Sequence, residues 1–115
     1  MPNVIKDLDR WLDSLTNSKK PIIVEGKKDK YALERLGIKG IFTLNKPLFS
    51  IIEEITDISR ECILLVDLDR EGKKLYSNLK RDLERNGIRI DDRYRNFLFK
   101  ETKIRNIEGL KKYFD

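Results

Sequence analysis

Ile22-Ile23-Val24-Glu25-Gly26-Lys27-Lys28-Asp29 and Ile63-Leu64-Leu65-Val66-Asp67-Leu68-Asp69-Arg70-Glu71-Gly72 decide the fold. Each is a short apolar run, rich in β-branched residues, that ends in carboxylate and glycine and passes into a helical pattern. A strand buried on both faces reads as unbroken apolar residues rather than as alternation. The carboxylates therefore mark where two such strands end. Glu25, Asp67 and Asp69 are then expected at the carboxyl ends of strands in one sheet, where open α/β sheets set their ligand sites. Carboxylates gathered there in a basic protein suit a hard divalent cation and a phosphate-bearing substrate.

Outward from these strands the chain alternates. Val4, Ile5, Leu8, Trp11, Leu12 and Leu15 have helical spacing and predict an N-terminal helix over 3–16, broken by Asn17-Ser18-Lys19-Lys20-Pro21. Lys28 to Leu36 predicts a helix with Tyr31, Ala32, Leu33 and Leu36 inward and Gly37 as its cap. Gly40 to Leu44 predicts a second strand, and Pro47 opens a helix running to about Asp57. Cys62 to Val66 is the third strand. Glu71 to Asn86 predicts a long helix closed by Gly87, with Leu75, Leu79 and Leu83 inward and Tyr76 beside them. Alternating Phe97 and Phe99 predict a fourth strand over 96–99, and these two rings join Phe42 and Phe49 as expected core. Asp91-Asp92-Arg93-Tyr94-Arg95 reads as a solvated turn, and 106–114 as a closing helix. Strand-helix alternation with short connections implies parallel strands and right-handed crossovers. The expected class is α/β: a single compact, Rossmann-like domain over 1–115, its core at 21–101, with about four mostly parallel strands flanked by helices.

A chain of 115 residues supports one real core. Apolar and charged residues each make up 39%, so the chain is globular with a heavily charged surface. The net charge of +5 is uneven. Residues 70–105 hold twelve Lys/Arg against six Asp/Glu, whereas the first 69 hold eleven against twelve. The second half is the expected polyanion-facing side. Lys27, Lys46, Arg70, Lys73 and Lys74 adjoin the predicted strand ends and are candidates for phosphate contacts, with plain solvated charge as the alternative for each.

The chain has no His, which excludes Ser-His and Cys-His machinery and any imidazole zinc site. A general base must be Asp, Glu, Lys, Tyr or a metal-bound hydroxide. The one cysteine, Cys62, is expected to be a buried, inert thiol. No apolar stretch approaches the roughly 18 residues of a membrane span and no signal peptide is visible, so the expected location is the cytoplasm. The lack of Gln, with abundant Lys, Arg, Glu and Ile, leans towards a thermophilic source.

Asp67 and Asp69 flank one residue at a strand end, and both can face one side if the chain turns between them. Two hard ligands there suit Mg²⁺, which keeps several waters and shares its shell with substrate phosphate. Gly72 is expected to let the chain turn into the next helix, whose N-terminus favours an anion. Glu is costly to bury alone, so Glu25 is either a site residue or paired with Lys27 or Lys28. Asp29 is expected to cap the helix that follows it, in preference to binding metal.

The pair V-E-G-x-x-D and D-x-D-x-x-G, each after a strand and in this order, resembles the Toprim domain family, over about residues 21–101. That catalytic domain is shared by bacterial-type primases, type IA and II topoisomerases, recombination-associated proteins and several nucleases. The resemblance implies Glu25 as general acid or base, and Asp67 and Asp69, with Glu25, as ligands of Mg²⁺ or Mn²⁺. Asp69-Arg70-Glu71-Gly72 resembles the topoisomerase variant, which adds Glu71 to the candidates. No Tyr stands in a transesterifying context and no zinc module is present. The motifs are nearest to those of the ribosomal-RNA maturation nucleases and bacterial-type primases, as a small stand-alone Toprim protein. Asn106-Ile107-Glu108-Gly109 is a loose counterpart of a further V-E motif in those nucleases, which makes Glu108 a candidate fourth carboxylate.

The leading expectation is a Mg²⁺-dependent phosphodiester enzyme on RNA or DNA, a nuclease or RNA-processing factor. The alternative is a nucleic-acid-binding accessory module that has the metal site, works within a larger protein complex and lacks catalysis of its own. A small-molecule phosphate hydrolase or a receiver-like domain is a third reading, since both place acidic residues at strand ends. The oligomeric state stays open; the long helix and Trp11 are the features that would support a dimer.

Overall fold

A computed structural model of the chain describes residues 7–114. Helix α1 spans Leu8–Ser18, β1 Ile22–Val24, α2 Lys27–Glu34, β2 Ile41–Thr43, α3 Leu48–Thr56, β3 Glu61–Leu64, α4 Arg70–Arg85, β4 Arg89–Asp91 and α5 Arg93–Glu101. A 3₁₀ helix, Ile107–Tyr113, follows. The strands form one parallel sheet in the order β2-β1-β3-β4. Ile22 pairs with Ile41 on one side and Ile63 on the other. Pairing continues past β3, where the Leu65 N–H donates to the Ile23 carbonyl at 2.8 Å. All of Ile22 to Val24 and Cys62 to Val66 is buried, which is why these strands read as unbroken apolar runs.

Alternate residues serve two cores. Ile22, Val24, Ile63 and Leu65 face α1, α2, α5 and the 3₁₀ helix, meeting Trp11, Leu33, Tyr94, Leu98 and Ile107. Ile23, Cys62, Leu64 and Val66 face α3 and α4, meeting Ile51, Ile55, Leu79 and Leu83. Helices α2 and α4 thus lie on opposite faces. After β1 the chain moves outward to β2; after β3 it moves outward the other way, to β4. The direction reverses between β1 and β3, so a crevice opens beyond the carboxyl ends of these two strands.

The fourth strand is β4, seven residues earlier than the phenylalanines suggest, and 93–101 is helix α5. Tyr94, Phe97 and Leu98 are the buried residues of that segment, a helical spacing, while Phe99 points outward. Phe49 is also exposed and Phe42 only partly buried, so of the four phenylalanines Phe97 alone is core. Nor is 91–95 a solvated turn. Asp91, Tyr94 and Arg95 are buried, with Asp91 held by Lys20 and Arg93. Trp11 is fully buried against Tyr94, with ring centroids 6.3 Å apart and its Nε1–H donating to the Tyr94 carbonyl at 2.9 Å. Its apolar surface serves this fold, not a dimer. Helix α1 runs on to Ser18; the predicted start of that helix, with Val4 and Ile5, lies outside the described residues. Cys62 is buried, and burial pushes its thiol up to about 12.

Candidate functional site

Strand β1 ends at Val24, and Glu25 follows it, exposed at the mouth of the crevice. Gly26 is the N-cap of α2. Asp29, the third helical residue, reaches back so that its Oδ2 accepts the Gly26 N–H at 3.1 Å. Asp29 therefore caps the helix from inside its first turn, as a capping-box acid does. The extended chain after β3 carries Asp67 to the same edge, half-buried. Its Oδ1 accepts the Ile107 N–H at 3.0 Å, which ties the 3₁₀ helix to the strand end. The next residue adds a second tie: the Leu68 N–H donates to the Arg105 carbonyl at 2.7 Å.

Asp69 is the N-cap of α4, its Oδ1 accepting the Gly72 N–H at 2.8 Å. Gly72 is buried inside the first turn rather than at a bend. A Cβ there would collide with the Asp67 carbonyl oxygen, so the glycine is required by close approach of helix to loop. Arg95 completes the turn from the other side. Its Nε donates to the Val66 carbonyl at 3.2 Å and its Nη2 to the Asp67 carbonyl at 2.9 Å, while its guanidinium lies 4.3 Å from the Tyr76 ring centre. The buried position of this Arg departs from the solvated turn expected over 91–95. The spacing Tyr94, Phe97, Leu98 was the signal that would have placed it on a packed helix.

The carboxylates share one field. Partial burial raises the Glu25 pKa first, and Asp67, Asp29, Asp69 and Glu71 each raise it further. Burial likewise raises Asp67; the Ile107 N–H opposes this, Asp69 and Glu108 add to it, and Arg95 opposes it. Burial raises Asp29 against its bond from Gly26, with Asp67 and Glu108 adding. Six carboxylates from three segments thus repel one another here. That is the charge a hard cation relieves. Asp67 and Asp69 each commit Oδ1 to a backbone N–H, and among the described residues no hydrogen bond reaches either Oδ2. As the side chains stand, no group of three or more acidic residues among the described residues is close enough to hold a metal ion. Glu25, being exposed, has staggered rotamers open to it that would change its reach.

The predicted cations divide. Lys27 opens α2, and Arg70 and Lys74 lie in the first turns of α4, all exposed beside the carboxylates. Lys73 lies 5.0 Å from the Phe99 ring centre, with Arg105 at 5.0 Å from the same ring. Lys46 pairs with Glu54 at 2.6 Å, so its charge is already met. Glu71 sits exposed in the first turn of α4, and Glu108 in that of the 3₁₀ helix.

A model of the Toprim domain matches residues 19–92. The chain is 37% identical over 99 residues to a UPF0292 protein of Methanocaldococcus jannaschii, covering 82% of this chain and 77% of that one. It is 35% identical over 108 residues to a UPF0292 protein of Thermococcus onnurineus, covering 91% and 81%. Relatives in thermophilic archaea fit the lean of the composition. Among solved structures, a putative protein from Aquifex aeolicus superposes with a TM-score of 0.87 at 32% identity, over 91% of this chain and 99% of that one. No helix among the described residues is long and apolar enough to cross a membrane.

Proposed function

This chain belongs to the Toprim domain family, and on that premise we propose that it is a Mg²⁺-dependent phosphodiester enzyme of the cytoplasm, a nuclease or RNA-processing factor. The observation that carries the reading is that Glu25, Asp67 and Asp69 follow β1 and β3 at the switch point of the sheet and act on one another's charge. Asp67 and Asp69 would hold the metal through the oxygens they keep out of backbone bonding, with Glu25 as a further ligand. The donor set fits: all are hard carboxylate oxygens, in a field that repels added negative charge. Bound Mg²⁺ supplies charge stabilisation for the phosphate and an acidified water. Mn²⁺ suits the same oxygens.

Glu25 moves the proton. It is exposed at the mouth of the crevice, where a carboxyl can take a proton and return it. Arg95 holds the Val66 and Asp67 carbonyls and so fixes the direction in which the Asp67 carboxylate leaves the strand. Lys27, Arg70, Lys73 and Lys74 supply phosphate contacts, which position a backbone without reading its sequence. Lys46 contributes only if Glu54 releases it.

Labelled structured RNA and DNA, incubated with Mg²⁺ or with chelator, test this. Metal-dependent cuts lost in Glu25→Gln and in Asp67→Asn, with folding unchanged, support it. Cleavage retained in Glu25→Gln removes the role given to that residue. A second reading, an accessory module whose catalysis needs a partner protein, draws on the separation of the carboxylates as they stand. Binding of both nucleic acids with no cuts in Mg²⁺ favours it.

A further inference from the structure

Between α2 and the 3₁₀ helix lies a cleft of about 640 Å³, within the size range of small-ligand sites. Its lining includes Lys27, Lys28, Tyr31, Ala32, Glu108 and Lys111. Three lysines against one carboxylate make it the positive neighbour of the acidic crevice. Tyr31, 60% exposed, presents an aromatic side chain to the cleft. That ring is not loose. The Arg35 Nη1 donates to the Tyr31 Oη at 3.1 Å, and its guanidinium lies 5.7 Å from the ring centre. Cleft and crevice adjoin: Glu108 lines the one and is near enough to act on Asp67 of the other. Ile107, whose N–H holds the Asp67 carboxylate, precedes Glu108 in the cleft wall, and Lys28 precedes Asp29.

We infer that this cleft seats one unpaired nucleotide next to the phosphodiester at the carboxylates, with its base against Tyr31 and its phosphate on Lys28 and Lys111. The inference rests on the phosphodiester reading and names the substrate's form: single-stranded nucleic acid, or a single-stranded segment of a folded one. A duplex keeps its bases stacked on one another and offers no free face to Tyr31. An aromatic platform beside clustered cations is the arrangement that tracks a single strand irrespective of its sequence.

Short fluorescein-labelled single-stranded RNA and DNA, and the matching duplexes, are titrated with the full chain across a range of salt. Lys28→Ala with Lys111→Ala is expected to flatten the log-log salt dependence for single strands by about 0.7, the slope of the one phosphate that the two lysines share. Arg81→Ala with Arg85→Ala, which removes the same charge at the far end of α4, is expected to leave that slope unchanged. Tyr31→Ala is expected to weaken single-strand binding roughly five-fold or more with no change of slope, and Tyr31→Phe to restore it. Wild-type affinity and slope in the cleft variants overturn the cleft and leave the phosphodiester reading standing. Duplex bound as tightly as single strand, with Tyr31→Ala indifferent, overturns the unpaired nucleotide. Wild type that binds none of the probes overturns the phosphodiester reading and the cleft with it. RNA bound in preference to DNA, or the reverse, assigns the sugar within a cleft already upheld.

Discussion

Asp91 carries the clearest electrostatic stake of any residue outside the crevice. Burial pushes its pKa up, but bonds from Arg93 and Lys20 outweigh burial and hold it at about 2. An unfolded Asp titrates near 3.9, so the folded state favours the ionised form. The stabilisation is present above about pH 4 and is lost as pH falls through about 2. It is worth roughly 2.5 kcal/mol. Urea unfolding should therefore find Asp91→Asn less stable than wild type by about that amount at neutral pH, and the gap should nearly close at about pH 2. A gap independent of pH contradicts the ion triad. Gly72 is the second residue-scale case. Gly72→Ala forces a Cβ onto the Asp67 backbone and should cost about 3 kcal/mol or more in the same assay, with loss of Mg²⁺ affinity as the loop shifts. Near-neutral stability would mean that the helix and loop are not in close contact.

At the scale of elements, the central strands were legible because burial on both faces leaves one signal, an unbroken apolar run. The edge strand was not. Strand β4 has three residues, of which Arg89 is exposed and Asp91 is charged, so neither alternation nor apolarity marks it. Phe97 and Phe99 then imitated a strand, although the core takes Tyr94, Phe97 and Leu98 from a helix. The site followed the same division. Carboxylates at the ends of readable strands were found; Arg95, which arrives from the misread segment, was not. Arg95→Met keeps most of the packing of α5 but frees the Val66 and Asp67 carbonyls. We expect it to weaken Mg²⁺ binding roughly ten-fold, as loss of a supporting contact to a metal site does, with a smaller effect on unfolding in urea. Unchanged Mg²⁺ affinity would make Arg95 a purely structural residue. Trp11→Ala should cost about 3–5 kcal/mol, because it empties the contact by which α1 docks on α5.

Over the whole molecule, topology and charge meet at one edge. The strand order sends the chain away from the β1–β3 boundary in both directions, which leaves the carboxyl ends of two buried strands uncovered. Glu25, Asp67 and Asp69 occupy that opening, Asp29 and Glu108 deepen its negative field, and lysines of α2, α4 and the 3₁₀ helix surround it. Negative centre and positive rim together describe a surface that takes a cation first and a polyanion around it. Thermal unfolding in increasing Mg²⁺, for wild type beside Asp67→Asn with Asp69→Asn, tests this most directly. Binding to the folded state alone must raise the Tm of wild type with Mg²⁺ concentration, and the double variant must lose that rise. Equal rises in both proteins, or none in wild type, would contradict the metal centre on which the account rests.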